Sequence, residues 1–226
     1  MHDWLALLGV QTARFAEVVA EGDLDASVAH CPGWALRELA DHLGGVHQRA
    51  AHAVVAGSPR LEPESAGPLG SAALADWYAG HAGHLIDVLT ARPADAPAWA
   101  MDPSNRTAGF WRRRQVHETT LHLWDADLAV GAPAPIDPPL AWDGVLEVVD
   151  VVYPRQVRLG RIDPLPGQLW LRATDVPGCT SLGEGEPLGV EASAEVLLRL
   201  LWHRADAAAE GIDPRAGELL AGAVTP

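Results

Sequence analysis

The chain has 226 residues, 48% of them hydrophobic, which predicts a globular protein with one large domain or two small ones. A formal net charge of −14 argues against nucleic acid or an anionic membrane as a partner, since both require a basic surface. No apolar run reaches the roughly 18 residues of a membrane span, and the start Met-His-Asp-Trp lacks a secretory signal, so we expect a cytoplasmic protein.

Four helices are predicted in the first part of the chain. Asp3 is a suitable cap for the first of them. Apolar residues recur at helical spacing over about 4–20, 36–54, 71–91 (with Ser71 as cap) and 107–130, and residues 57–70 form a Pro-, Gly- and Ser-rich loop. Because no strand pattern interrupts these helices, they predict a bundle.

A proline-rich segment at 132–139 predicts a boundary between two domains, residues 1–135 and 136–226. Beyond it we expect an α+β pattern consisting of a helix at 140–158, an alternating strand at 167–174, a possible partner strand at 187–191, an apolar helix at 192–204 and a short helical tail. The predicted fold class is therefore mainly α, with a smaller α+β part.

Three polar residues of the fourth helix form a candidate metal-binding stripe. Glu118 and His122 are four residues apart and stack on one helix face, and Asp125 returns to the same stripe. A carboxylate at the edge of a core needs a cation or hydrogen-bond donors, and a carboxylate beside an imidazole suits zinc. Two ligands are too few, so a third must come from elsewhere in the chain.

The second helix offers two histidines as the third ligand. His47 lies in the middle of its apolar stripe, whereas His42 lies about 100° from that centre. Periodicity favours His47 as the inward residue, but the unknown packing angle leaves both candidates open. On the third helix, His81, His84 and Asp87 form another possible ligand trio, for which a solvated face is the simpler interpretation.

Three segments resemble the mycothiol-dependent maleylpyruvate isomerase family, a branch of the DinB-like metal-binding bundles. They are Cys-Pro-Gly-Trp at 31–34, Asp-His-Leu-Gly-Gly-Val-His at 41–47 and Arg-Gln-Val-His-Glu-Thr-Thr-Leu-His-Leu-Trp-Asp at 114–125. The region 191–211 looks like the family's C-terminal domain. The resemblance implies a DinB-like four-helix bundle followed by a small C-terminal α/β domain.

The resemblance also implies a set of site residues. Family members bind a divalent metal, usually zinc, through one histidine and a Glu-x-x-x-His pair, and these match His42, Glu118 and His122. The match therefore selects His42 over His47. His47 is then a candidate to form a hydrogen bond with one of the metal ligands, although a role in filling the core is the simpler explanation.

Two further residues receive roles from the resemblance. Asp125 matches an acidic position that orients a metal ligand. Arg204 matches an arginine that helps to bind a carboxylate substrate, and we expect it to be catalytic. The two cysteines, Cys31 and Cys179, are expected to be free thiols.

The implied function is a zinc-dependent enzyme with mycothiol as cosubstrate. It would act on a small, carboxylate-bearing substrate as a cis–trans isomerase or as a thiol S-transferase, and as a monomer or homodimer. A zinc-dependent hydrolase and a non-catalytic metal- or ligand-binding protein stay open as alternatives, because one metal site supports several reactions. The loops at 57–70 and 175–188 are expected to line a substrate pocket if the domains meet there.

Overall fold

The computed structural model describes residues 2–222 and 224–225. Contacts between Cα atoms divide the chain into two units, Met1–Ala134 and Pro135–Pro226. Among the described residues, no helix combines the length and the apolar character needed to cross a bilayer. Both cysteines are free thiols, as predicted.

The first unit consists of the four predicted helices. Asp3 caps the first helix by accepting a hydrogen bond from the Ala6 backbone N–H, and Thr107 caps the fourth through Phe110. Ser71, the predicted cap, is instead the first residue of its helix, and Gly70 occupies the N-cap position. The helices are α1 (Trp4–Glu21), α2 (Leu36–Ala56), α3 (Ser71–Thr90) and α4 (Ala108–Val130).

The four helices pack as a bundle around an apolar interior. Helices α1 and α2 each contact both α3 and α4. Phe15 of α1 and Tyr78 of α3 are fully buried, with ring centroids 4.6 Å apart. Burying a large apolar side chain contributes about 1.5–3 kcal/mol, so this interior fixes the positions of α2 and α4, which carry the candidate metal ligands.

A long helix begins the second unit, but it is not the continuous helix that the sequence predicts over 140–158. It runs as α5 (Pro138–Glu147), then as a π-helical turn (Val148–Val152), and then as α6 (Tyr153–Arg158). Pro154 at the start of α6 has no backbone N–H to donate to the preceding turn, which accounts for the local change of helix type.

A three-stranded sheet follows in the order β2-β1-β3. The strands β1 (Gln168–Ala173) and β3 (Pro187–Ala192) are parallel and match the two predicted strands, whereas β2 (Cys179–Leu182) was not predicted and pairs antiparallel with β1. Four residues are too few to show a period-2 pattern. Helices α7 (Ala194–Leu201) and α8 (Pro214–Ala221) complete the unit, so the predicted helix at 192–204 is shorter than expected.

Candidate metal centre

Helices α2 and α4 bring three potential metal ligands together. His42 Nε2 lies 3.6 Å from Glu118 Oε1, and His122 Nε2 lies 3.5 Å from the same oxygen. One ligand atom from each of the three residues lies within 4.8 Å of the other two. The side chains of Glu118 and His122 are each 13% exposed and that of His42 is 30% exposed, so the cluster is partly accessible to solvent.

Arg114 stabilises the charged form of the Glu118 carboxylate. Arg114 lies one helical turn before Glu118, and its guanidinium donates a hydrogen bond to Glu118 Oε2. The other oxygen, Oε1, faces the two histidines. Burial by itself raises the pKa of Glu118. The Arg114 charge and hydrogen bonds from His122 and His42 outweigh burial and hold that pKa well below its ordinary value. The carboxylate is therefore ionised and ready to bind a cation.

Asp125 orients the ring of His122. Nδ1 of His122 lies 3.2 Å from Asp125 Oδ2, and the Asp125 side chain is fully buried. Burial lowers the pKa of His122, but its hydrogen bonds with Asp125 and Glu118 raise that pKa overall. The contact with Asp125 directs Nε2 towards Glu118, so Nε2 is the nitrogen that a bound metal would take as its ligand.

His47 lies in the core of the bundle and not in the ligand cluster. Its side chain is fully buried, Nδ1 lies 2.8 Å from Gln115 Oε1, and Nε2 lies 3.2 Å from the Tyr78 hydroxyl. This pattern suits a neutral ring that donates to Gln115 and accepts from Tyr78. Periodicity was therefore right that His47 points inward, but its hydrogen bonds connect it to α3 and to Gln115 rather than to a candidate ligand.

Two further predictions concern Arg204 and the trio of the third helix. Arg204 belongs to the second unit, is 8% exposed, and donates to the Trp202 carbonyl oxygen at 2.8 Å. Its carboxylate-binding role stays a prediction. Within residues 2–222 and 224–225, the groups with metal-binding geometry do not include the predicted trio of the third helix, His81, His84 and Asp87.

Two residues near the cluster were missed by the sequence interpretation. Arg114 is four residues before Glu118. This spacing favours an ion pair on one helix face, so the contact could have been predicted from the sequence. Cys31 places its Sγ 4.0 Å from Asp125 Oδ2 and forms a second potential ligand group with His122 and Asp125. No spacing links Cys31 to α4, because the contact joins a loop to a distant helix.

The donor set of the first cluster fits a divalent metal. Two imidazole nitrogens and one carboxylate oxygen are the ligands of many catalytic zinc sites, which keep a fourth position open. The ionised Glu118 supplies the negative charge, and the pairing of its second oxygen with Arg114 favours binding through one oxygen. The orientation of His122 by Asp125 is the support that metal-binding histidines usually have.

Comparison with known proteins gives a family match and a fold match. A family model described as "Mycothiol maleylpyruvate isomerase N-terminal domain" matches residues 5–127. A crystal structure of a mycothiol-dependent maleylpyruvate isomerase is similar with a TM-score of 0.65 at 15% identity, covering 90% of this chain and 89% of that one. A histidine-to-alanine mutant under the same name gives a TM-score of 0.64 at 14% identity, covering 88% and 87%. Curated protein sequences gave no match.

Proposed function

The chain belongs to the mycothiol maleylpyruvate isomerase family, because the family's N-terminal domain model matches more than half of its length, and from this we propose that it is a metal-dependent enzyme that uses mycothiol. Its reaction is the cis–trans isomerisation of a small unsaturated acid, or the transfer of the thiol to such an acid. The single observation that carries the proposal is the convergence of His42, Glu118 and His122.

Three of the chain's residues would hold a zinc ion. His42 and His122 would each contribute one imidazole nitrogen, and Glu118 would contribute the carboxylate that Arg114 keeps ionised. Asp125 holds the His122 ring in position. A bound zinc ion lowers the pKa of a thiol at its open position, so that the reactive thiolate is present at neutral pH. The partial exposure of His42 leaves an approach for the thiol.

The reaction class follows from the chemistry of a thiolate. A thiolate adds to a carbon–carbon double bond that is conjugated to a carbonyl group, which leaves a single bond that rotates. Elimination of the same thiol then restores the double bond in the trans form, whereas protonation without elimination leaves a thioether. Arg204 is proposed to bind a substrate carboxylate through its planar guanidinium.

Metal analysis combined with a thiol-dependence assay tests this proposal. We expect purified wild type to contain one divalent metal per chain, and His42→Ala and His122→Ala to lose it. His52→Ala, on the same helix α2 but outside the cluster, is the matched control and should keep its metal.

Turnover provides the second part of the test. We expect wild type to isomerise maleylpyruvate only when mycothiol is present. Metal retention by both cluster variants would refute the assigned ligands. Metal-dependent turnover that needs no thiol would refute the thiol mechanism and favour a hydrolase, and stoichiometric metal without any turnover would favour a non-catalytic binding protein.

A further inference from the structure

A polar groove begins at His42 and continues along α2. It has a volume of about 520 Å³ and lies between α2 and the loop at 57–70. We call this space the α2 groove. Trp34 lies at the end near the ligand cluster, with its ring centroid 4.8 Å from that of His42, and Arg49 and Glu62 line the groove further along. A molecule in the α2 groove would therefore have one end beside a candidate metal ligand.

The loop wall of the α2 groove is fastened to α2 at two points. Asp41 accepts hydrogen bonds from the Ser65 hydroxyl at 2.9 Å and from the Ala66 backbone N–H at 2.6 Å. About two turns further along α2, Gln48 both donates to and accepts from the backbone of Glu64, each at 2.9 Å. These paired contacts hold the loop against the helix, so the groove is formed before a ligand binds.

The charged groups of the α2 groove favour a neutral, hydroxyl-rich ligand. Its lining carries two guanidinium groups and four carboxylates, from Arg37, Arg49, Glu38, Asp41, Glu62 and Glu64. With four carboxylates against two guanidinium groups, the lining disfavours an anion, and its many acceptors and donors suit the hydroxyl groups of a neutral ligand. The aromatic face of Trp34 adds an apolar surface of the kind on which a sugar ring packs.

Arg49 and Glu62 have hydrogen-bonding capacity to spare. In the described part of the chain, neither side chain has a hydrogen bond or an ion pair, whereas Arg37 pairs with Asp25 and Glu38 bonds the Ala35 backbone. A planar guanidinium and a carboxylate that both line one groove can each bind two neighbouring hydroxyl groups. These two residues are therefore the main candidates for ligand contacts.

We propose that the α2 groove binds the amino sugar and cyclitol part of the thiol cosubstrate, with its thiol end towards His42. This inference rests on the proposed function. Mycothiol matches the groove chemically, since it joins an N-acetylated cysteine to a neutral, polyhydroxylated pseudodisaccharide. The groove then selects a glycosylated thiol over simpler thiols, because only the former fills it.

The thiol-free pseudodisaccharide, N-acetylglucosaminyl-inositol, provides a test that is independent of metal and of turnover. We expect calorimetry to detect its binding to the full chain after chelator treatment. Arg49→Gln and Glu62→Gln should each weaken that binding about fivefold to tenfold, the usual effect of losing one or two hydrogen bonds. Arg60→Gln is the matched control, because Arg60 is an exposed arginine of the same loop that does not line the groove.

A kinetic comparison completes the test. Arg49→Gln should raise the KM for mycothiol more than the KM for N-acetylcysteine, which lacks the sugar part. Failure of the pseudodisaccharide to bind, or equal binding by wild type and both groove variants, overturns the assignment of the α2 groove. If these failures occur while turnover stays mycothiol-dependent, the proposed function survives. If the pseudodisaccharide binds as expected and no thiol supports turnover, the groove assignment survives and the proposed reaction falls.

Discussion

Acid should destabilise the bundle through His47, and the size of this effect can be calculated. The ring is fully buried and uses both nitrogens, one with Gln115 and one with Tyr78. Burial lowers the pKa of His47 from 6.5 to about 4. A proton therefore binds the unfolded chain more readily than the folded one, and stability present above pH 6.5 is lost as the pH falls towards 4.

The magnitude follows from the difference between the folded and unfolded pKa values. One pKa unit corresponds to about 1.4 kcal/mol, so the single site costs about 2 kcal/mol between pH 7 and pH 5 and about 3 kcal/mol by pH 4. Domains are typically stable by about 5–15 kcal/mol, which makes this loss large enough to measure. Other groups titrate in the same range, so the contribution of His47 must be isolated by difference.

The contribution of His47 can be isolated by urea denaturation. Metal-free wild type and His47→Gln are compared at several pH values between 7 and 5. The variant loses the titrating ring while a polar side chain remains at the site. We expect the free energy of unfolding of wild type to fall by about 2 kcal/mol more than that of the variant over this range. His52→Gln, which changes a half-buried histidine of the same helix, should follow wild type. Parallel curves for wild type and His47→Gln would refute the reasoning.

Two further predictions concern metal affinity and packing. Asp125→Asn should weaken zinc affinity by about 10- to 100-fold in a chelator competition, because the His122 ring loses its carboxylate partner, while Asp127→Asn on the same helix should not. Gly44→Ala should lower the free energy of unfolding by about 1–3 kcal/mol, because its new Cβ would overlap the Trp77 ring. Gly45→Ala, whose Cβ would meet its nearest atom at 3.4 Å, should cost clearly less in the same denaturation experiment.

Local patterns were enough to predict most of the secondary structure. The four helices of the first unit and the strands β1 and β3 have the periodicity of their class, and that periodicity reflects which face each element buries. The strand β2 is too short for such a pattern, and its pairing with β1 depends on residues outside the strand. The π-helical turn at Val148–Val152 is likewise a local adjustment that apolar spacing does not reveal.

Helical spacing alone predicts that Glu118 and His122 share a face, because residues four apart on one helix are always neighbours. Which histidine of α2 lies beside this pair depends on how the helices pack. His42 and His47 are five residues apart, and hence on different faces of α2. Apolar periodicity identifies the more buried of the two, which is His47. Only the packing of α2 against α4 determines that the less buried His42 lies beside Glu118.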